Sequence, residues 1–322
     1  MKILITGGAG FIGSHLVDYF VDNYPQYEVI VLDNMSYAAN FDNIKHHLEN
    51  KRINFILGDV ANYSLYSKIL RNVNLVIHTA AESHVDNSFF DPWRFVKTNV
   101  EGTQLLLQAC REFGVDKIIH FSTDEVYGDT ENIAFTEESA LNPTNPYSAS
   151  KAAADMIIAS YRKSFNLDIS VVRPNNVFGI RQHWEKLIPT CVLHLKQDKK
   201  IPIHGDGSNK RSYLYVEDLC KAIDIIRTSG GINSTYNIGC NFEYKVTDVA
   251  KIICDAARVD YADNIEFVKD RAYNDTRYLI SLAKLAKLGW RAETKLEDCQ
   301  HLLFDWYYKQ RAPFAHGWFK ND

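Results

Sequence analysis

The chain has 322 residues, of which 46% are hydrophobic, enough to bury a substantial core and to form two lobes, and this composition excludes a disordered protein. Its 36 basic and 40 acidic residues are interspersed without long like-charge blocks and sum to a net charge of -4, which argues against nucleic acid as the main partner. The cysteines (Cys110, Cys191, Cys220, Cys240, Cys254, Cys299) show no Cys-x-x-Cys spacing, so neither a disulfide framework nor a zinc site is predicted and a reducing cytoplasm is expected.

The first residues enter a strand pattern at once, with no charged leader, long apolar span or cleavage site, and neither export nor membrane insertion is expected. Short apolar runs at 3–6, 29–33, 53–58, 75–79, 117–122 and 169–174 read as buried parallel strands, with helix-length stretches at 13–23, 92–113 and 146–165 between them. This rhythm predicts an α/β fold with a doubly wound parallel sheet and right-handed crossovers. After Pro174 it breaks into shorter pieces separated by Pro189, Pro202 and the Gly205-Asp206-Gly207 turn, with helices predicted at 216–227, 246–257 and 296–310. Two lobes are expected: residues 1–174 as a dinucleotide-binding domain, with segments from 210–240 packed on it, and 175–322 as a smaller C-terminal α/β substrate-binding lobe.

The first strand runs into Gly7-Gly8-Ala9-Gly10-Phe11-Ile12-Gly13 and then a helix. Glycines in a first βα turn let the backbone approach a pyrophosphate, and the helix N-terminus adds partial positive charge. Asp33 closes the second strand, where a carboxylate accepts hydrogen bonds from a ribose diol and repels a 2′-phosphate, so NAD is preferred to NADP. Asp59 with Val60 is placed to frame the adenine, and Ala80 with Ala81 to line the cofactor path. An ordinary strand-end loop explains each of these pairs nearly as well.

Asp124 and Glu125 follow the run 117–121, and Tyr147 and Lys151 stand four apart, a spacing that puts both on one helix face. An ammonium there lowers a phenol pKa from its ordinary value near ~10, letting tyrosine act as a base near neutral pH. Proton transfer at a sugar-like alcohol is the predicted chemistry. A solvent-facing loop pair is the commoner meaning of Asp-Glu alone, but a position after a strand near the switch-point crevice favours a functional one.

The glycine turn, Ser122-Thr123-Asp124-Glu125-Val126-Tyr127-Gly128 and Tyr147-x-x-x-Lys151 together resemble the extended short-chain dehydrogenase/reductase family, and the Thr123-Asp124-Glu125 triplet resembles its nucleotide-sugar 4,6-dehydratases. The stretches 80–86, 173–179, 185–189 and 211–218 agree. The resemblance implies a Rossmann sheet, NAD and a nucleotide-sugar substrate. In the mechanism that goes with it, Tyr147 takes the C4 hydroxyl proton as hydride leaves, Lys151 holds the phenolate and the nicotinamide ribose, and Thr123 bonds the C4 oxygen. Glu125 then removes the C5 proton while Asp124 protonates the departing C6 hydroxyl. Two close carboxylates resist joint ionisation, which lets Asp124 start neutral and Glu125 ionised.

The same resemblance implies cofactor contacts at Asn34, Ser83, Asn99 and Ser122, and a pyrophosphate clamp of Asn176, Lys186, Arg211, Asn237 and Arg271. Ser83, Glu185, Leu187 and Asn274 would complete the substrate site, with Pro202, Ile203 and His204 at the nucleobase. Arg211 stands out because a guanidinium gives planar bidentate phosphate contacts; a solvated surface charge is the alternative for Lys186. The stretches 202–215 and 274–278 resemble the dehydratase part of plant rhamnose synthases, which use UDP-glucose, more than bacterial dTDP-glucose enzymes. UDP-glucose is therefore expected ahead of dTDP-glucose. The run Asp270-Arg271-Ala272-Tyr273-Asn274-Asp275 departs from the bacterial Asp-Arg-Pro-Gly-His-Asp. Two rival readings are a nucleotide-sugar 4-epimerase, which needs Tyr147 and Lys151 but no acid pair, and a non-catalytic NAD-binding regulator. No metal site is expected from the histidine spacing; helices 92–113 and 146–165 either form a four-helix homodimer interface, as in the resembled family, or have their apolar faces covered within one chain, and a homodimer is expected.

Overall fold

The computed structural model describes residues 1–130, 132–269 and 277–310. The apolar runs form β1 (Lys2–Thr6), β2 (Glu28–Asp33), β3 (Ile53–Leu57), β4 (Leu75–His78), β5 (Lys117–Phe121) and β6 (Ile169–Pro174). The second half contributes β7 (Asn176–Phe178), β8 (Ile201–His204), β9 (Lys210–Tyr215), β10 (Thr235–Ile238), β11 (Glu243–Lys245) and β12 (Ile265–Val268). Seven strands make one sheet in the order β10-β6-β5-β4-β1-β2-β3, and each of its pairings is parallel. A three-stranded sheet, β11-β9-β7, and the pair β12-β8 stand beside it.

Continuous apolar strands are what a sheet covered on both faces requires. Within β1, Ile3 and Ile5 point to one side and Leu4 to the other, and all three are fully buried. The first side packs on α1 (Phe11–Asn23), through Leu16, Val17 and Phe20. The second side meets Leu106 and Leu107 of α2 (Gly102–Phe113) and Ile158 and Tyr161 of α3 (Pro146–Phe165). Beyond these lie α4 (Leu187–Lys196), α5 (Val216–Ser229), α6 (Val246–Ala257) and α7 (Leu296–Lys309). Helix α5 packs against α1, and β10 bonds to β6, so segments from beyond residue 210 complete the large sheet and its cover.

Local chemistry fixes the two helices that border the site. Pro146 occupies the first turn of α3, and Asn145 caps it by accepting from Ser148 N at 2.9 Å while Ser148 Oγ accepts from Asn145 N at 3.2 Å. The predicted helix 92–113 is not one regular helix: a turn at Pro92–Phe95 leads through a π-helical stretch, Val96–Glu101, into α2. Asn99 sits in that widened stretch with its side chain buried and bonded to Glu82 and Ser150. Among the described residues no helix is long and apolar enough to cross a membrane.

Phe20 is fully buried between α1 and the sheet. Phe20→Ala is expected to cost about 3–5 kcal/mol of unfolding free energy, read as a lower denaturation midpoint.

Candidate active site

Strand order reverses between β1 and β4, and an open parallel sheet binds ligands outside its carboxyl ends at such a point. A groove enclosing about 1530 Å³, partly open to solvent, lies there. The glycine turn forms one end. Gly7 has φ +71°, and a Cβ on Gly13 would sit 2.1 Å from Gly7 O, so neither position tolerates a side chain without moving the turn. Asp33 borders the same end, its carboxylate accepting from Ala9 N at 3.0 Å and Met35 N at 2.8 Å. Burial pushes that carboxyl above its usual value and the two amides pull it back.

The groove gathers most of the residues singled out in the sequence. Gly10, Phe11, Ile12, Asn34, Val60, Ala80, Ala81, Ser83, Ser122, Asn176, Glu185 and Lys186 line it, as do Thr123, Asp124, Glu125, Tyr147 and Lys151. Ser83, Glu185 and Lys186 meet at one wall, where Lys186 Nζ donates to Ser83 O at 3.3 Å and Glu185 lies 3.3 Å from His183 and 3.7 Å from His84. Burial works against the Glu185 charge, but His183, Lys186 and His84 hold its carboxyl below the usual value.

Thr123 stands two residues beyond β5 and caps the single turn Asp124–Tyr127, accepting from Glu125 N at 3.3 Å. Asp124 is 3% exposed, and its Oδ2 accepts from Asn175 Nδ2 at 2.7 Å. Burial, and next the Glu125 charge, push its pKa to about 7, against the pull of Asn175, Thr123 and Arg211. Asn145, the α3 cap, reaches Glu125 Oε2 with its amide at 3.4 Å. The pair is thus differentiated: Asp124 is a buried acid poised near neutral pH beside a less buried carboxylate. The phenol differs from expectation. Tyr147 is pushed well above its ordinary value by burial and then by Glu125, and the bond from Thr123 is what pulls it down. Lys151 does not supply that pull, and its ammonium donates to Phe121 O at 2.5 Å.

Several expected residues lie away from the groove. Asn237 is fully buried in β10, where its amide meets Tyr127 Oη, Phe135 O and Ser281 O, so it has no capacity left for a pyrophosphate. Asn99 is likewise consumed in tying Glu82 to Ser150. Asp59 caps its own turn through Ala61 N at 2.8 Å, and Leu187 begins α4. Ile203 is fully buried in β8, while Pro202 and His204 flank it on the separate β12-β8 pair. Arg211 lies on β9 with its guanidinium 4.6 Å from the Tyr278 ring centre, and its charge acts on Asp124. Arg271 and Asn274 lie outside the described residues. Sequence reasoning passed over Asn175 and Asn145 as site residues; an asparagine directly before a helix-starting proline was the available signal for the second. It also passed over a cluster, Asp18 with His46 and His47, whose ligand-type atoms lie within 4.8 Å of one another. Asp18 there already binds His47 Nε2 at 2.7 Å and Arg181 Nη1 at 2.6 Å.

A reversed parallel sheet with a glycine turn on its first strand, a carboxylate closing its second and a Tyr-x-x-x-Lys helix beside its fifth defines an extended short-chain dehydrogenase/reductase. The chain belongs to the GDP-mannose 4,6 dehydratase family, whose model matches residues 4–301. It is 44% identical over 312 residues to the trifunctional UDP-glucose 4,6-dehydratase/UDP-4-keto-6-deoxy-D-glucose 3,5-epimerase/UDP-4-keto-L-rhamnose-reductase of Arabidopsis thaliana, covering 95% of this chain and 47% of that protein. The chain thus spans about half the length of the plant relatives it matches. Its structure superposes with TM-score 0.92 on the dTDP-glucose 4,6-dehydratase DesIV of Streptomyces venezuelae, solved with NAD, at 38% identity and coverage of 95% and 97%. The UDP-glucose 4-epimerase of Thermotoga maritima, solved with UDP-glucose, gives TM-score 0.88 at 29% identity, covering 96% of this chain and 99% of that one.

With a folded pKa of about 7 against an ordinary 3.8, Asp124 binds its proton more tightly in the native state than in the unfolded chain. Stability therefore falls as pH rises between these two values and levels off above them. Asp124→Asn removes that loss: the variant is expected to melt higher than the parent at about pH 8, with the difference shrinking toward about pH 4, as scanning calorimetry across pH will show.

Proposed function

We propose that this chain is an NAD-dependent NDP-glucose 4,6-dehydratase, acting on UDP-glucose in preference to dTDP-glucose. The observation that carries the reading is the buried Asp124 beside Glu125, its carboxyl pushed up to about 7, in the same groove as Tyr147 and Lys151. A 4-epimerase has no use for a second acid and base, and its fold is too similar to decide between them. The glycine turn, the Asp33 carboxylate and the groove running from them to Lys151 fit a dinucleotide. When bound, NAD supplies an acceptor for the hydride of sugar C4 and a donor for its return to C6.

The chain's own residues handle the protons. Thr123 holds the C4 oxygen and the phenol together, and Tyr147 accepts the C4 hydroxyl proton as the alcohol becomes a ketone. That ketone acidifies the C5 proton, which an unactivated alcohol cannot do. Glu125 removes it, and Asp124 passes its proton to the C6 hydroxyl, which leaves as water. An acid poised near 7 retains its proton for that step yet gives it up readily. Lys186 and Asn176, which line the groove, contact the pyrophosphate, and Arg211 adds positive charge from β9, outside that lining but near enough for its charge to act on Asp124. The preference for UDP rests on 44% identity to a plant protein whose name includes UDP-glucose 4,6-dehydratase.

The protein works as a homodimer in the cytoplasm. Phe90, Trp93 and Met156 are 88%, 72% and 70% exposed on the region around Pro92–Phe95 and on α3, more apolar surface than a solvated helical face needs. All six cysteines are free and buried, as a reducing compartment allows. Met156→Glu with Trp93→Glu is expected to shift the protein from dimer to monomer in light scattering coupled to gel filtration.

Glu125→Gln is expected to lower dehydration by about 10²–10⁴-fold, because C5 deprotonation loses its base while C4 oxidation proceeds. Mass spectrometry of UDP-glucose and dTDP-glucose incubated separately with NAD checks this. Loss of water from either sugar supports the dehydratase, and the faster substrate ranks the nucleotides; an unchanged mass with a galactose epimer in the NMR spectrum would instead establish the epimerase.

A further inference from the structure

Behind Lys151 lies a set of buried charges that the mechanism above does not use. Asp155 stands one turn further along α3, and its Oδ2 accepts from Arg173 Nε at 3.0 Å, Arg173 Nη2 at 2.9 Å and Ser122 Oγ at 3.0 Å. Arg173 comes from β6 and also donates through Nη1 to Tyr127 Oη at 2.6 Å. Tyr127 closes the single turn that carries Asp124 and Glu125. One ion pair therefore joins the lysine helix, the sheet and the acid-bearing turn. A closed structural pair would engage both carboxylate oxygens, yet Oδ1 of Asp155 is buried with no hydrogen-bond partner among the described residues.

Lys151 needs such an anion. Its ammonium is buried against a neutral carbonyl, Phe121 O. Its charge interacts with Asp155 from α3, His78 from β4 and His120 from β5. Both histidines are held neutral, first by burial and next by the Lys151 charge itself. Burial lowers Lys151 to about 8, and the Asp155 charge is what opposes that fall. Burial pushes the Asp155 carboxyl above its usual value, and Arg173, Ser122 and Lys151 pull it back toward the carboxylate, with Arg162 facing it from further along α3.

We propose that Asp155 is a positioning residue for the reaction: its carboxylate, aimed by Arg173 and Ser122, holds Lys151 as a cation and so sets the pH range in which Lys151 and Tyr147 act together. This rests on the role given to Lys151 under the proposed function. Removing the charge with Asp155→Asn leaves Arg173 as an unpaired buried cation, which destabilises the fold by itself. Asp155→Asn combined with Arg173→Met removes that cation and separates the two effects.

The test is the titration of the Lys151 side chain in full-length protein isotope-labelled at lysine Cε, with Lys151→Arg identifying its resonance. In Asp155→Asn and in the double variant the midpoint is expected to fall by about one pH unit or more. The alkaline limb of turnover falls with it, while the double variant regains much of the parent melting temperature. If Lys151 in the double variant titrates at the parent midpoint, Asp155 is only a structural partner of Arg173 and the proposal is wrong. The titration is read without turnover, so a parent protein that dehydrates no nucleotide-linked glucose refutes the proposed function, while the Lys151 midpoint still decides whether Asp155 sustains the ammonium.

Discussion

A parallel sheet buried on both faces has little room for polar side chains away from its ends, and that constraint gathers the chemistry of this protein at one edge. Ile3 and Ile5 face one apolar layer and Leu4 the other. Each strand therefore changes from hydrophobic to polar character within a residue or two of its carboxyl end: Thr6 into Gly7, Leu32 into Asp33, Phe121 into Ser122 and Thr123. The strand order reverses between β1 and β4, so the loops there diverge and leave a groove. Position in the sheet, more than any single contact, brings residues from 7 to 186 to one cavity.

Crowding charged groups at a dry edge has an electrostatic consequence. Burial acts on Asp124, Tyr147 and Lys151 alike, moving each toward its neutral form. For Asp124 that shift is useful, since it makes a carboxyl into a proton donor near neutral pH. For Tyr147 it opposes function, because a base must be able to lose its proton. The free protein thus holds the acid ready and the base restrained, with Thr123 bonded to the phenol and the Lys151 ammonium on a backbone carbonyl.

Much of this was legible in the chain. Buried strands announce themselves as apolar runs, so β1 to β6 fall within a residue or two of expectation, and the Asn-Pro cap fixes the start of α3 at Pro146. The glycine turn and the Thr-Asp-Glu triplet could be placed because their meaning depends on which strand they follow. What escaped was set by long-range packing. Nothing local distinguishes Asn237, which is spent inside the sheet, from Asn176, which faces the groove. Strands of three or four residues such as β7 and β8 carry too few side chains for a period to show. In the π-helical stretch Asn99 reaches Glu82 and Ser150 at once, long-range contacts invisible in the run 92–113.

The seating of β10 beside β6 bears on how the chain comes off the ribosome. Sixty residues separate the end of β6 from the start of β10, and β6 stands as a bare sheet edge until they have emerged. Val171 and Val172 are both nearly or fully buried in the finished protein, and the edge they form is apolar on both sides, the type of surface that recruits a foreign strand. Synthesis therefore passes through an interval in which most of the Rossmann sheet is present but unsealed, and a nascent chain stalled within it would be a substrate for chaperones rather than a smaller working enzyme.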